Sequence, residues 1–187
     1  LNKIGVLPAG GTAFTGTSQD GTDRMELVDG QRSAVTHSLT AANTSTIDVD
    51  DRWIHLTGVE SVLDALIVDE RTFTFAAATG ADAVLLGDDA TEANKVSRLT
   101  STSVITTLDF WNPIASLTLN TGDGNDAVTL SPFDALNGDG VTFDAAVSID
   151  GGEQDDQIDA LAYLLELTID GGSGHDFLQG GHGVDQG

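Results

Sequence analysis

The sequence predicts an all-β protein whose later part is a right-handed parallel β-solenoid of the β-helix or β-roll kind, with stacked Gly/Asp turns. Three aligned segments begin at Leu117, Val147 and Leu167, 30 and then 20 residues apart. Each segment alternates apolar and polar residues, as half-buried strands do, and then enters a glycine-containing turn. Because one such unit cannot bury its apolar face alone, successive units are expected to stack.

The elements follow in chain order. Residues 1–70 are predicted to form an irregular β-rich N-terminal part or cap, and residues 71–187 the solenoid. Weaker copies of the repeat lie at Gly21–Met25 and from Phe75 onward. Glycine clusters mark turns between short strands, and short helical character is expected only at Asp88–Val96 and Gln157–Leu165. The last apolar position of each copy should contribute to one buried ladder, made of Val84, Val128, Ile158 and Leu178.

The ends of the sequence predict that the chain is a fragment of a longer polypeptide. The sequence opens without Met and stops within a repeat. It has no Cys and so needs no disulfide.

The charge of the chain is strongly negative, at −23, and is unevenly distributed. All seven Lys and Arg residues precede residue 99, whereas residues 99–187 hold fifteen acidic residues and no Lys or Arg. Such a surface repels itself unless cations gather on it, so nucleic acid and anionic membranes are not expected partners. No apolar run approaches the roughly 20 residues of a membrane span, so membrane insertion is not expected either.

The glycine-rich turns contain the candidate chemistry. Residues 171–179 match the nonapeptide G-G-x-G-x-D-x-U-x, in which U is apolar, at every fixed position, and residues 180–187 match it through Asp185. In the two upstream turns Thr121 replaces the first glycine and Gln154 the third. Calcium takes about six to eight oxygen ligands, which Asp side chains and carbonyl groups turned by glycines can supply. One turn offers only part of that shell, so an ion would lie between stacked turns.

These turns resemble the hemolysin-type (RTX) calcium-binding repeats, in the degenerate, long-period form found in large bacterial secreted and surface proteins. The resemblance is clear in the C-terminal part of the chain and implies that each six-residue turn binds Ca2+ together with a turn of a neighbouring coil. The metal-binding positions that it implies are Gly122, Asp123, Gly124, Asp126, Gly151, Gly152, Asp156, Gly171, Gly172, Gly174, Asp176, Gly181, Gly183 and Asp185.

The expected function is a calcium-binding structural or adhesive repeat module of a secreted or cell-surface protein, and not an enzyme. One alternative is a carbohydrate-active β-helix enzyme such as a lyase or epimerase, although no base follows Arg98 on the C-terminal coils. Another is a glycan-binding module that uses Trp53 and Trp111, which burial of both side chains would exclude. Besides calcium, a cell-surface glycan or another protein is the expected partner, and the expected location is extracellular or at the cell surface.

Overall fold

A computed structural model describes residues 14–17, 23–76, 80–91, 94–103, 107–133, 143–163 and 165–180. These ranges contain strands and no helix, which confirms the all-β prediction, and so they hold no helix that could cross a membrane. The strands are β1 (Phe14–Thr17), β2 (Arg24–Ala41), β3 (Thr44–Val49), β4 (Trp53–Thr57), β5 (Ser61–Phe75), β6 (Ala83–Asp88), β7 (Val96–Ser101), β8 (Thr107–Trp111), β9 (Ser116–Asn120), β10 (Ala127–Leu130), β11 (Ala146–Asp150), β12 (Gln157–Asp159), β13 (Leu167–Asp170) and β14 (Phe177–Gln179).

These strands pair in one large, mostly parallel sheet that is not closed. Its path runs β1-β4-β3-β2-β5-β8-β7-β6-β10-β12-β14, and β9, β11 and β13 branch from β5. Strand β5 is 15 residues long, so it can pair with two different strands along its length. Its first half pairs with β8 and its second half with β9. The later strands therefore form two parallel stacks, β5–β9–β11–β13 and β6–β10–β12–β14.

The register of both stacks is the register of the sequence alignment. In the first stack Leu117 pairs with Val147, and Val147 pairs with Leu167. In the second stack the predicted ladder is confirmed, since successive pairs join Val84, Val128, Ile158 and Leu178. The first three members are at most 3% exposed. Leu178 is 44% exposed, because no further described strand covers β14.

The core of the later strands is closed by aromatic side chains on the side away from the glycine turns. Phe133 follows β10, Phe143 precedes β11 and Tyr163 follows β12, and all three are buried. The rings of Phe133 and Phe143 stack at 4.2 Å, and Tyr163 meets Phe133 edge-on at 5.6 Å. These three side chains thus cover the core of the later strands.

The N-terminal strands build a more irregular arrangement on the same sheet. Strand β2 runs parallel to β5, with a bulge between Val28 and Gln31, while β3 and β4 add antiparallel neighbours. Along β3 and β4 every second residue is buried, as expected for strands with one face in the core. The predicted division at residue 70 falls inside β5 and stays a prediction.

The short helical segments expected at Asp88–Val96 and Gln157–Leu165 are wrong. The first contains the end of β6 and the start of β7, and the second contains β12. Between β6 and β7 the side chains of Asp89 and Asn94 each accept the backbone N–H two residues later, at 2.8 and 2.7 Å. Such side-chain bonds compete with helical ones and favour turns.

Candidate metal centre

Three six-residue turns lie one above another where the first stack of strands leads into the second. The first turn (121–126) joins β9 to β10, the second (151–156) joins β11 to β12, and the third (171–176) joins β13 to β14. Parallel bridges connect Asp123 to Glu153 and Glu153 to Ser173. The Gly122 carbonyl accepts the Glu153 N–H at 3.0 Å, and the Gly152 carbonyl accepts the Ser173 N–H at 2.8 Å. The three predicted motifs are therefore stacked in register.

Close stacking requires glycine at the second position of these turns. Gly152 and Gly172 have φ angles of 96° and 81°, which side chains disfavour. A Cβ atom on Gly152 would lie 1.9 Å from the Gly122 carbonyl oxygen, and one on Gly172 would lie 2.0 Å from the Gly152 carbonyl oxygen. No side chain fits at either position.

Gln154 stands where the first and third turns have glycine. Its φ angle is 82°, a left-handed conformation that costs a non-glycine residue about 1–2 kcal/mol. The turn nevertheless stacks, because the Gln154 N–H donates to the Ser173 carbonyl at 2.7 Å. Gln154 in place of the motif glycine therefore strains the turn locally but leaves its position in the stack unchanged.

Asp126, Asp156 and Asp176 form a carboxylate ladder that links the coils through backbone amides. Asp126 Oδ1 accepts the N–H of Asp82 at 2.7 Å. Asp156 Oδ1 accepts the N–H of Asp126 at 2.8 Å, and Asp176 Oδ1 accepts the N–H of Asp156 at 3.0 Å. Each motif Asp thus ties its own coil to the preceding coil.

The second oxygens of this ladder are the unusual feature of the site. Asp126 and Asp156 are 2% and 3% exposed, and their Oδ2 atoms are shielded from solvent without a hydrogen-bond partner. The neighbouring Thr121 hydroxyl donates instead to the Gly151 carbonyl, at 2.7 Å. A shielded anionic oxygen without a donor is costly, so these two atoms favour a cation nearby.

The electrostatics of the ladder point the same way. Burial raises the pKa of Asp126, although the Asp82 amide and the nearby Thr121 hydroxyl oppose the change. Burial, helped by the negative charges of Asp126, Asp176 and Asp155, raises the pKa of Asp156 to about 6. Without a cation, neighbouring carboxylates in this stack therefore resist ionisation together.

The described residues contain no group of three or more His, Asp or Glu side chains placed to hold a metal ion. A site in these turns would therefore combine one or two carboxylates with backbone carbonyl oxygens, which calcium accepts as ligands. The packed glycines bring such carbonyl groups close to the ladder, since a Cβ atom on Gly151 would lie 2.6 Å from Asp156 Oδ2 and 2.8 Å from the Gly171 carbonyl oxygen.

The structure brings most of the sequence-predicted positions together in the three turns. These are Gly122, Asp123, Gly124, Asp126, Gly151, Gly152, Asp156, Gly171, Gly172, Gly174 and Asp176. The remaining predicted positions, Gly181, Gly183 and Asp185, lie outside the described residues.

Sequence reasoning missed a buried charged group beneath the N-terminal strands. Asp64, His37 and Arg71 are fully buried, and Asp64 Oδ2 accepts hydrogen bonds from His37 Nε2 at 2.9 Å and from the Arg71 guanidinium. Arg71 also donates to the Leu66 carbonyl at 3.2 Å and lies over the Phe110 ring at 5.4 Å. The strand period could have revealed only part of it, because Asp64 shares the inward-facing positions of Val62 and Leu66, whereas Arg71 follows an interruption of the alternation at residues 69–70.

The protonation states of this group follow from its burial and pairing. Burial alone would raise the pKa of Asp64, but the Arg71 charge and the His37 hydrogen bond outweigh it and lower that pKa to about 2. Burial lowers the pKa of His37 below its usual value, against the pull of Asp64. The group is therefore an ion pair of Asp64 and Arg71 with a neutral His37, and it has no access to substrate.

Comparison of the chain with protein-family models, with curated proteins and with solved structures finds no match.

Proposed function

We propose that the stacked turns bind Ca2+ and that the chain is a structural or adhesive repeat module of a secreted or cell-surface protein, without enzymatic activity. The observation that carries this proposal is the pair of shielded, unpartnered carboxylate oxygens of Asp126 and Asp156. They lie between turns whose glycines let neighbouring coils approach to backbone contact.

The residues present fit a hard cation. Ca2+ takes oxygen ligands only from groups such as carboxylates, carbonyls and water, and tolerates irregular geometry. Two neighbouring carboxylates of the ladder, Asp126 with Asp156 or Asp156 with Asp176, would hold it together with carbonyl oxygens of the same turns. Bound Ca2+ would supply the positive charge that residues 99–187 lack, since they contain no Lys or Arg.

The arrangement of the coils supports a solenoid as the finer description of the fold. Two parallel stacks, the first linked to the second at each level by a glycine turn, repeat from β9 to β14 with constant register. We infer a right-handed parallel β-solenoid in which each added coil brings one more turn to the ion-binding side.

An extracellular location suits such a site. Calcium modules outside cells have dissociation constants of about 10⁻⁴–10⁻³ M, and weak sites of this kind need the high calcium concentration found there. The turns would then become fully stable only after export, and the rigid stack would serve as a spacer or an adhesive surface.

The test is a calcium titration of the purified chain by calorimetry, with circular dichroism on the same samples. We expect Ca2+ to bind and to raise the melting temperature after EDTA treatment, and Mg2+ to do so poorly because it demands a tight octahedral shell. Asp176→Ala should weaken binding more than Asp88→Ala, which changes an acid outside the turns. Unchanged melting in EDTA, or equal rescue by NaCl, would show that the acids form only a salt-screened surface.

A further inference from the structure

An open cleft lies on the outer face of the N-terminal strands, away from the glycine turns. Its volume is about 410 Å3, within the range of small-molecule sites. It lies where β2, β3 and the turn after β3 meet, and it is lined by Ser33, Ala34, Thr36, Asp48, Asp50 and Asp51.

Backbone hydrogen bonds fix the walls of this cleft. Asp50 Oδ1 accepts the N–H groups of Ser33 and Ala34 at 3.0 and 3.1 Å, which ties the turn to β2. Val49 and Arg52 exchange backbone hydrogen bonds at 2.9 and 3.1 Å and close the turn. The cleft is thus formed in the free chain, so a ligand would not have to order it.

One carboxylate in the cleft has an unused acceptor. Asp48 is partly exposed where it lines the cleft, and no described residue donates a hydrogen bond to its carboxylate; Oδ1 is shielded from solvent, so a ligand would reach the other oxygen. Such an atom favours a ligand that donates a hydrogen bond, and a bond from a neutral hydroxyl to a carboxylate is stronger than one between neutral groups.

An exposed indole stands beside this carboxylate. Asp48 pairs with Thr36 on one side and with Trp53 on the other, which places the three side chains in one row across the outer face. Directly opposed residues have Cβ atoms about 4.5–5.5 Å apart. Trp53 is 48% exposed, although a large aromatic side chain normally gains by burial.

We propose that this cleft is a binding site for a neutral hexose-containing saccharide. Trp53 provides the flat surface against which the C–H face of a sugar ring packs, and Asp48 accepts a sugar hydroxyl. Polyanions are disfavoured by the three carboxylates that line the cleft.

The second exposed indole provides a matched control. Trp111 is 38% exposed but belongs to β8, where it pairs with Val96 and not with any residue that lines the cleft. Replacing either Trp removes an exposed side chain of the same size, so a difference between the two variants reports on the cleft and not on stability.

The experiment is saturation-transfer NMR with maltose, cellobiose and lactose as probes, in calcium and in EDTA. We expect at least one disaccharide to bind, Trp53→Ala to weaken it by about tenfold or more, Asp48→Asn to weaken it, and Trp111→Ala to leave it unchanged. Circular dichroism checks the fold of each variant, and Trp53→Phe is a milder replacement if Trp53→Ala is unstable.

Three results would overturn the proposal: no binding of any of the three sugars, equal losses in both Trp→Ala variants, or a Trp53 fluorescence change with Ca2+ alone that Asp48→Asn abolishes. The last would make the cleft a cation site. Because these strands lie outside the glycine turns, sugar binding does not depend on whether the turns bind calcium.

Discussion

Replacing Asp156 by Asn should change stability in opposite directions with and without calcium. The amide oxygen of Asn can still accept the Asp126 N–H, which Asp156 Oδ1 accepts at 2.8 Å, so the link between coils survives. What disappears is the negative charge, together with the shielded Oδ2 atom that has no donor.

The magnitude in EDTA follows from the raised pKa. A carboxyl whose folded pKa exceeds its unfolded value stabilises the fold at low pH and loses that contribution as pH rises through the folded pKa. For Asp156 the folded pKa is about 6 against an ordinary 3.8. At about 1.4 kcal/mol per pH unit, ionisation costs the calcium-free fold up to about 3 kcal/mol at neutral pH. Asp156→Asn should recover part of this.

In saturating calcium the sign reverses. A ligand at 100 times its dissociation constant stabilises a fold by about 2.7 kcal/mol, and a variant that has lost a ligand oxygen loses much of that amount. Urea unfolding at neutral pH, with EDTA and with calcium, measures both effects. Glu153→Gln is the control, because Glu153 is an exposed acid in the same turn, and its effect should stay within about 0.5 kcal/mol.

Two outcomes would refute this reasoning. If Asp156→Asn stabilises the protein equally in EDTA and in calcium, the ionised carboxylate destabilises the fold and does not bind an ion. If it destabilises the protein equally in both, the carboxylate is needed for a structural contact that Asn cannot replace.

Three further predictions concern the turns and the buried charged group. Gly152→Ala should destabilise the chain by more than about 2 kcal/mol in urea unfolding, because its Cβ atom would meet the Gly122 carbonyl oxygen at 1.9 Å. The control is Gly80→Ala, where the added Cβ meets no atom within 4 Å. A smaller effect for Gly152→Ala than for Gly80→Ala would contradict the close stacking. Gln154→Gly should stabilise the chain by about 1 kcal/mol in the same assay, since it removes a side chain from a φ angle of 82°, and a loss of stability would show that the Gln side chain makes a needed contact. In calcium, the free energy of unfolding should fall as pH drops below about 6.5. The pKa of His37 is lowered in the fold and that of Asp64 is lowered to about 2, so the unfolded chain binds more protons than the folded chain. His37→Gln should flatten the first part of this fall, and an unchanged slope would mean that other groups control it.

The repeat itself could be predicted from the sequence. Period-2 alternation and glycine punctuation are local features, and a strand offset by one residue would turn its apolar side chains to the wrong face. The alignment of Leu117, Val147 and Leu167 therefore equals their pairing in the sheet. The same logic placed the motif glycines and Asp126, Asp156 and Asp176 in stacked turns.

Local patterns were insufficient where distant segments meet. DDATEANKV has the composition of a short helix, but Asx turns and the pairing of β6 with β7 decided its conformation. Each carboxylate of the Asp ladder accepts an amide 20 to 44 residues away, so the shielded second oxygens and raised pKa values of Asp126 and Asp156 follow only from the stacking of coils.

By itself, the sequence determined the strand character, the register of the later strands and the chemistry of their turns, because these follow from the order of neighbouring residues. Only the tertiary structure decided that His37, Asp64 and Arg71 share one buried group and that Thr36, Asp48 and Trp53 form one row beside a cleft. These residues come from different strands, and their proximity depends on which strands pair, a choice made by burial of the whole sheet and not by any local pattern.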